Sequence, residues 1–148
     1  MGVPVICAHM FVFYFGIIAD VTPPVALAAF AGSGIAGGNP LKTGINASKL
    51  AVAAFIIPYM FVLSPVLLMV DATAFNLITT TLTALIGMVA VSSALIGYLA
   101  DDCRPLERLI LVAGGLMMIK PGYLTDAAGL ALFLVILFLQ LKRRKAAR

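Results

Sequence analysis

Apolar residues fill this chain in long runs, and polar residues gather in a few short breaks between them. A spanning helix needs about 20 apolar residues, fewer when it is short or broken. The pattern therefore predicts an all-α integral membrane protein with about five transmembrane segments. The first covers residues 3–37 and is discontinuous, broken between Asp20 and Pro24. A polar link follows with Gly38, Asn39, Pro40, Lys42 and Asn46. The second span covers about 47–70, contains Pro58 and Pro65, and is closed by Asp71; the third covers about 76–99. The charged loop DDCRPLER, 101–108, ends that helix, and Pro105 suits the first turn of the next. Two shorter apolar arms, 109–119 and 127–141, flank KPGYLTD, with Pro121-Gly122 as the turn signal. They form either two thin spans or a re-entrant pair. The chain divides on this pattern into residues 1–70 and a membrane extension, 71–148.

Composition narrows the function class. The 148 residues are 63% hydrophobic and 11% charged, against about a quarter charged in soluble domains. No polar stretch exceeds a short loop, so a soluble catalytic domain has no room. The net charge of +4 comes largely from the tail KRRKAAR. Beside an apolar run, that tail fits anionic membrane lipid at the cytoplasmic face better than nucleic acid. Alternating from a cytoplasmic C-terminus puts the Arg104/Arg108 loop and the Lys42/Lys49 link inside, with Asp71, 121–126 and the N-terminus outside; Lys120 is the exception. Cys7 and Cys103 stand far apart, and no Cys/His cluster suggests a metal centre or disulfide framework. The N-terminus lacks the basic region of a signal peptide and begins inside apolar sequence, as expected of a chain that starts mid-protein.

The break carries the most specific chemistry. In ADVTPPV, Pro23 and Pro24 supply no backbone N–H and clash with the preceding turn, and Thr22 is pushed to extended geometry. Thr22 as N-cap with Pro23 at the first helical position would start a second half-helix. The first half, around residues 17–20, would then expose carbonyls to a hard cation, and the second, at 23–26, would offer a positive end to an anion. Asp20 at mid-membrane needs a partner or an aqueous route. Ala28, Gly32 and Ala36 in the second arm let a neighbouring helix approach closely. The other reading is a mere kink in a bundle helix.

The run AHMFVFYFGIIADVTPPVALAAFAGSGIAG, with NPLKTG and FIIPYMFVLSP after it, resembles the C-terminal part of the large permease subunit of TRAP transporters, closest to the fused form in which small and large membrane subunits share one polypeptide. The resemblance covers roughly 3–68; LMMIKPGYLTDAAGLAL resembles the C-terminal extension of the fused proteins more loosely. It implies a secondary transporter of the bacterial inner membrane that takes up organic anions, commonly carboxylates, with a sodium gradient and a periplasmic solute-binding protein. It further implies two inverted repeats, each with a hairpin and a discontinuous helix, moving as an elevator. Ala19, Asp20, Thr22, Pro23 and Pro24 would occupy the break of the second-repeat helix, with Thr22 and the carbonyls near Ile18 and Ala19 binding Na⁺. Ala19 and Ala26 stand where the family often has glycine, and Asp20 fits only the fused branch. The missing repeat and hairpins imply a fragment or split subunit, inactive without the remainder of the permease. The alternative is a small structural or assembly subunit with no transport site.

No order of nucleophile, base and acid suggests an enzyme, and no cofactor is expected beyond Na⁺ as coupling ion. His9 and Tyr14 read as packing residues, Asp71 and Asp126 as solvated caps, and Asp101/Asp102 as partners of Arg104 and Arg108.

Overall fold

The computed structural model describes residues 2–120 and 122–146, and it is all-helical, with no strand among them. It consists of two compact units, Met1–Leu68 and Met69–Arg148. The turn residue Pro121 lies outside the described residues.

The first unit opens with α1 (Val5–Ala19), a helix apolar on every side that continues until the prolines deny it donors. A second half-helix, α2 (Leu27–Ile35), follows the break. The stretch expected as a polar link is itself a helix, α3 (Pro40–Leu50). Asn39 caps it, its side chain accepting the Lys42 N–H at 3.0 Å, and Pro40 sits in the first turn.

The expected second span is not one continuous helix. α3 runs into the segment Val52–Leu63 through a 60° bend. Pro58 cannot donate back to Ala54, so the chain tightens into a 3₁₀ turn, Val52–Phe55, before α4 (Ile57–Leu63) begins. Pro65 then starts another 3₁₀ turn, Pro65–Leu68. Aromatic rings bind α4 to α1: Phe11 and Phe15 pack edge-on against Tyr59 at 5.3 and 5.9 Å, and Tyr14 against Phe61 at 5.9 Å. Tyr14 is thus a packing residue, as its position suggested.

The second unit is a three-helix assembly of α5 (Ala74–Ile96), α6 (Pro105–Ile119) and α7 (Tyr123–Ala146). Thr73 caps α5 by accepting the Asn76 N–H, and Gly97, at φ +89°, ends it in the left-handed conformation glycine adopts freely. α5 and α7 are each long and apolar enough to cross a membrane. α7 is longer than the arm expected at 127–141, because the basic tail continues the helix.

Adjacent glycines let α6 touch both neighbours at backbone distance. A Cβ on Gly115 would lie 2.7 Å from the Gly87 carbonyl oxygen and 2.7 Å from Val91 Cγ2 on α5. A Cβ on Gly114 would lie 3.3 Å from the Gly129 carbonyl oxygen on α7. Between membrane helices, where apolar surface gains little over lipid, such close approach is the main source of association. Gly115→Ala is expected to destabilise the unit by ~1–3 kcal/mol, since the opposing atoms are backbone and cannot turn aside. Gly32→Ala on α2, which meets nothing within 4 Å, should leave stability equal or raised by the ~0.5–1 kcal/mol gained in helix propensity. Thermal melts of the detergent-purified variants check the contrast.

Candidate helix-break site

Helix bonding would have paired the Pro23 nitrogen with the Ala19 carbonyl and the Pro24 nitrogen with that of Asp20. Both carbonyls lose those donors, and both find replacements. The Ala19 carbonyl accepts from the Thr22 and Ala26 N–H groups, each at 3.2 Å, and the Asp20 carbonyl accepts from Ala28 N–H at 3.0 Å. Ala28 lies in the first turn of α2, where N–H groups have no partner inside their own helix. The acceptors left over by α1 and the donors left over by α2 therefore partly satisfy one another.

Thr22 does not cap α2. Its hydroxyl donates back to the Ile18 carbonyl at 2.8 Å and closes the end of α1 instead. Nor does Pro23 begin the second half-helix: α2 starts at Leu27, after Ala26 at φ 41°, ψ 37°. The break is thus Asp20 to Ala26, longer than the Asp20–Pro24 expected. The prolines hold residues 23 and 24 out of the first turn, so the chain needs Ala26 in a left-handed conformation to redirect itself.

Ala19, Thr22, Pro23 and Pro24 line one cavity of about 240 Å³, together with Phe15, Ile18, Val25 and Phe55. Asp20 is exposed and does not line it. The structure thus brings four of the five candidate residues together and sets the acid apart. It adds two residues that sequence reasoning missed, Gly44 and Ser48 on α3. A Cβ on Gly44 would lie 3.0 Å from Pro23 Cγ, and the Ser48 hydroxyl lies 3.4 Å from the Val21 carbonyl oxygen. Their i, i+4 spacing was the available signal, hidden because Gly44 was read within the link 38–46 and Ser48 within the second span. His9, read as a packing residue, is exposed, and its ring hydrogen-bonds the Val5 carbonyl of its own helix at 3.0 Å.

A second polar constellation sits where α5 ends, α6 begins and α7 ends. Arg108 does not pair with Asp101 or Asp102: it donates to the Ala94 and Leu95 carbonyls at 2.6 and 2.8 Å and closes the C-terminus of α5. Asp101 pairs instead with Arg143 at 2.8 Å, and Arg143 reaches Glu107 at 3.1 Å. Gln140, fully buried, accepts from the Ala100 and Asp101 N–H groups and donates to Glu107 at 2.9 Å. Part of the basic tail is therefore turned inward. The Arg143 guanidinium, with the Asp102 N–H, holds the Asp101 carboxyl below its ordinary range. Burial pushes the Glu107 carboxyl up, but hydrogen bonds from Gln140 and the Arg104 N–H, with the Arg143 charge, outweigh it and leave Glu107 lowered. Asp126 departs from its expected role as a solvated cap: it is half-buried in the first turn of α7, and its Oδ1 is buried without a hydrogen-bond partner among the described residues. Asp71 is exposed, as a cap should be.

Residues 1–75 match the family model described as Tripartite ATP-independent periplasmic transporter, DctM component. No curated protein and no solved structure matches the chain.

Two outcomes follow from this geometry. Left-handed geometry costs Ala26 roughly 1–2 kcal/mol, while its buried methyl contributes about 0.8 kcal/mol. Ala26→Gly should accordingly change stability by no more than ~1 kcal/mol, and Ala26→Val, branched and buried, should lose ~2–3 kcal/mol; chemical denaturation measures both. For the polar constellation, lowered carboxyls contribute stability that is complete above the ordinary carboxylate range and lost as pH falls through the depressed values. Melting temperature is expected to hold from pH 7 to about 5 and to fall below about 4, with Arg143→Gln flattening that acid dependence.

Proposed function

The chain belongs to the DctM component family of tripartite ATP-independent periplasmic transporters, and from that premise we propose that it forms part of a secondary transporter's membrane permease. In this reading it works with the remainder of the permease and a periplasmic solute-binding protein, and takes up organic anions, carboxylates by class, on a sodium gradient. It is a multi-pass membrane protein; we place it in the bacterial inner membrane with its C-terminus in the cytoplasm. The cavity at the helix break carries the proposal, because Ala19, Thr22, Pro23 and Pro24 meet there at the end of the apolar helix α1.

What these residues do is bind and orient. Thr22 Oγ1, donating to the Ile18 carbonyl, keeps lone pairs for a cation such as Na⁺. The Asp20 carbonyl, which accepts one hydrogen bond, retains a second lone pair, whereas the carbonyls of Ile18 and Ala19 each accept two and would have to release one to meet an ion. The α2 N-terminus adds partial positive charge suited to a carboxylate. Asp20, exposed beside the break, supplies charge to an approaching cation without lining the cavity.

One observation favours a second reading, a purely structural joint. The Ala19 and Asp20 carbonyls already have protein donors, so the break is stable without an ion. Reconstitution with the remaining permease and the solute-binding protein separates the two. Under the transport reading, Thr22→Ala raises the sodium concentration for half-maximal carboxylate uptake by about 10-fold, the effect of ~1.4 kcal/mol. Under the joint reading, Thr22→Ala and Asp20→Asn leave the sodium dependence unchanged while Thr22→Ala lowers the melting temperature.

A further inference from the structure

The last helix divides its cations between two faces. Gly129, Ile136, Gln140 and Arg143 of α7 turn toward α5, α6 and the loop between them. Arg143 is committed there to Asp101 and Glu107, and Arg144 reaches the Ala100 carbonyl at 3.5 Å. Leu134, Phe138, Lys142 and Lys145 recur at i, i+4, i+8 and i+11, which places them on the opposite face. All four are exposed. No acidic residue follows Asp126 in the chain, so neither lysine has a carboxylate beside it on its own helix. Among the described residues, the ion pairs belong to Arg143 alone.

This outward face changes character within one turn. Phe138 is 68% exposed, and Lys142 stands ~6 Å further along the axis. α7 is long and apolar enough to cross a membrane, so the step from apolar to cationic falls where acyl chains give way to headgroups. Lys142 and Lys145 are separated by ~4.5 Å of helix rise, and their flexible stems can bring both ammonium groups to one phosphate. The carbonyls at the helix end oppose an anion with about half a charge, which two whole charges exceed. We propose that this face of α7 binds one anionic phospholipid, its phosphate held by Lys142 and Lys145 and an acyl chain lying on Leu134 and Phe138. Charge decides the occupant: a zwitterionic lipid matches the apolar half of the face, and an anionic one matches both halves. The inference needs only that α7 crosses the bilayer, and it is independent of any ion or substrate at the helix break.

Native mass spectrometry of the purified 148-residue chain in detergent tests this, with phosphatidylglycerol or phosphatidylcholine of identical acyl chains titrated in. Phosphatidylglycerol should give the first bound lipid at a midpoint roughly 10-fold or more below that of phosphatidylcholine. Lys142→Gln and Lys145→Gln should each raise the phosphatidylglycerol midpoint by about 5-fold and leave that of phosphatidylcholine unchanged. Lys142→Arg, which keeps the charge, should stay near wild type. Arg104→Gln removes an exposed cation at the start of α6 and should leave both midpoints in place. Equal binding of the two lipids by the wild-type chain overturns the proposal, as do glutamine variants that match wild type. A loss as large for Arg104→Gln reports attraction to net charge instead of a site, and overturns it too. So does displacement of the lipid by equimolar inorganic phosphate, which would mark a site for a free anion.

Discussion

Inside hydrocarbon, a backbone carbonyl that loses its helical donor finds no water to replace it, and Pro23-Pro24 imposes that loss on Ala19 and Asp20 together. The remedy lies a few residues away. Ala26 and Ala28, at the start of α2, carry N–H groups with the complementary deficit, and they turn to those two oxygens. This exchange fixes the direction in which α2 leaves the break and the left-handed turn at Ala26. Gly44 then follows as the residue that leaves room for the turn. A broken helix in lipid is thus tolerable because its two ends are mutually corrective.

The same requirement is met by side chains in the second unit. α5 ends where no further helix supplies donors, and the Arg108 guanidinium provides them. The loop amides of Ala100 and Asp101 meet a buried glutamine, Gln140. Glu107 accepts from the backbone of Arg104 and from the side chains of Gln140 and Arg143, so one carboxylate joins the start of α6 to the end of α7. Charge in this tail has two duties. Arg143 is spent on cohesion, while Lys142 and Lys145 remain exposed.

Much of this was legible in sequence, and the reasons differ by residue. Proline chemistry is local, so Thr22-Pro23-Pro24 announced the break and the family resemblance that residues 1–75 bear out. The role of Thr22 was misread because an N-cap and a back-bonded hydroxyl use the same residue types; the choice depends on where α2 restarts, which Ala26 decides. The second span was taken as continuous because Pro58 and Pro65 sit in apolar surroundings that hide a change of direction. α3 was missed because its surface is polar, although Asn39-Pro40 is a helix start. Arg143 and Asp101 are 42 residues apart, and no local pattern could pair them in preference to the nearer Arg104 and Arg108.

Gly114 and Gly115 also bear on how the protein meets its bilayer. α6 has 15 residues, a length of ~22 Å, against a hydrocarbon thickness of ~30 Å. A short helix that is free to move adapts by shifting along the membrane normal or by drawing the lipid surfaces inward. Held at backbone distance to α5 on one side and α7 on the other, α6 cannot slide alone. The polar groups at its two ends are therefore held in a fixed position relative to those of α5 and α7.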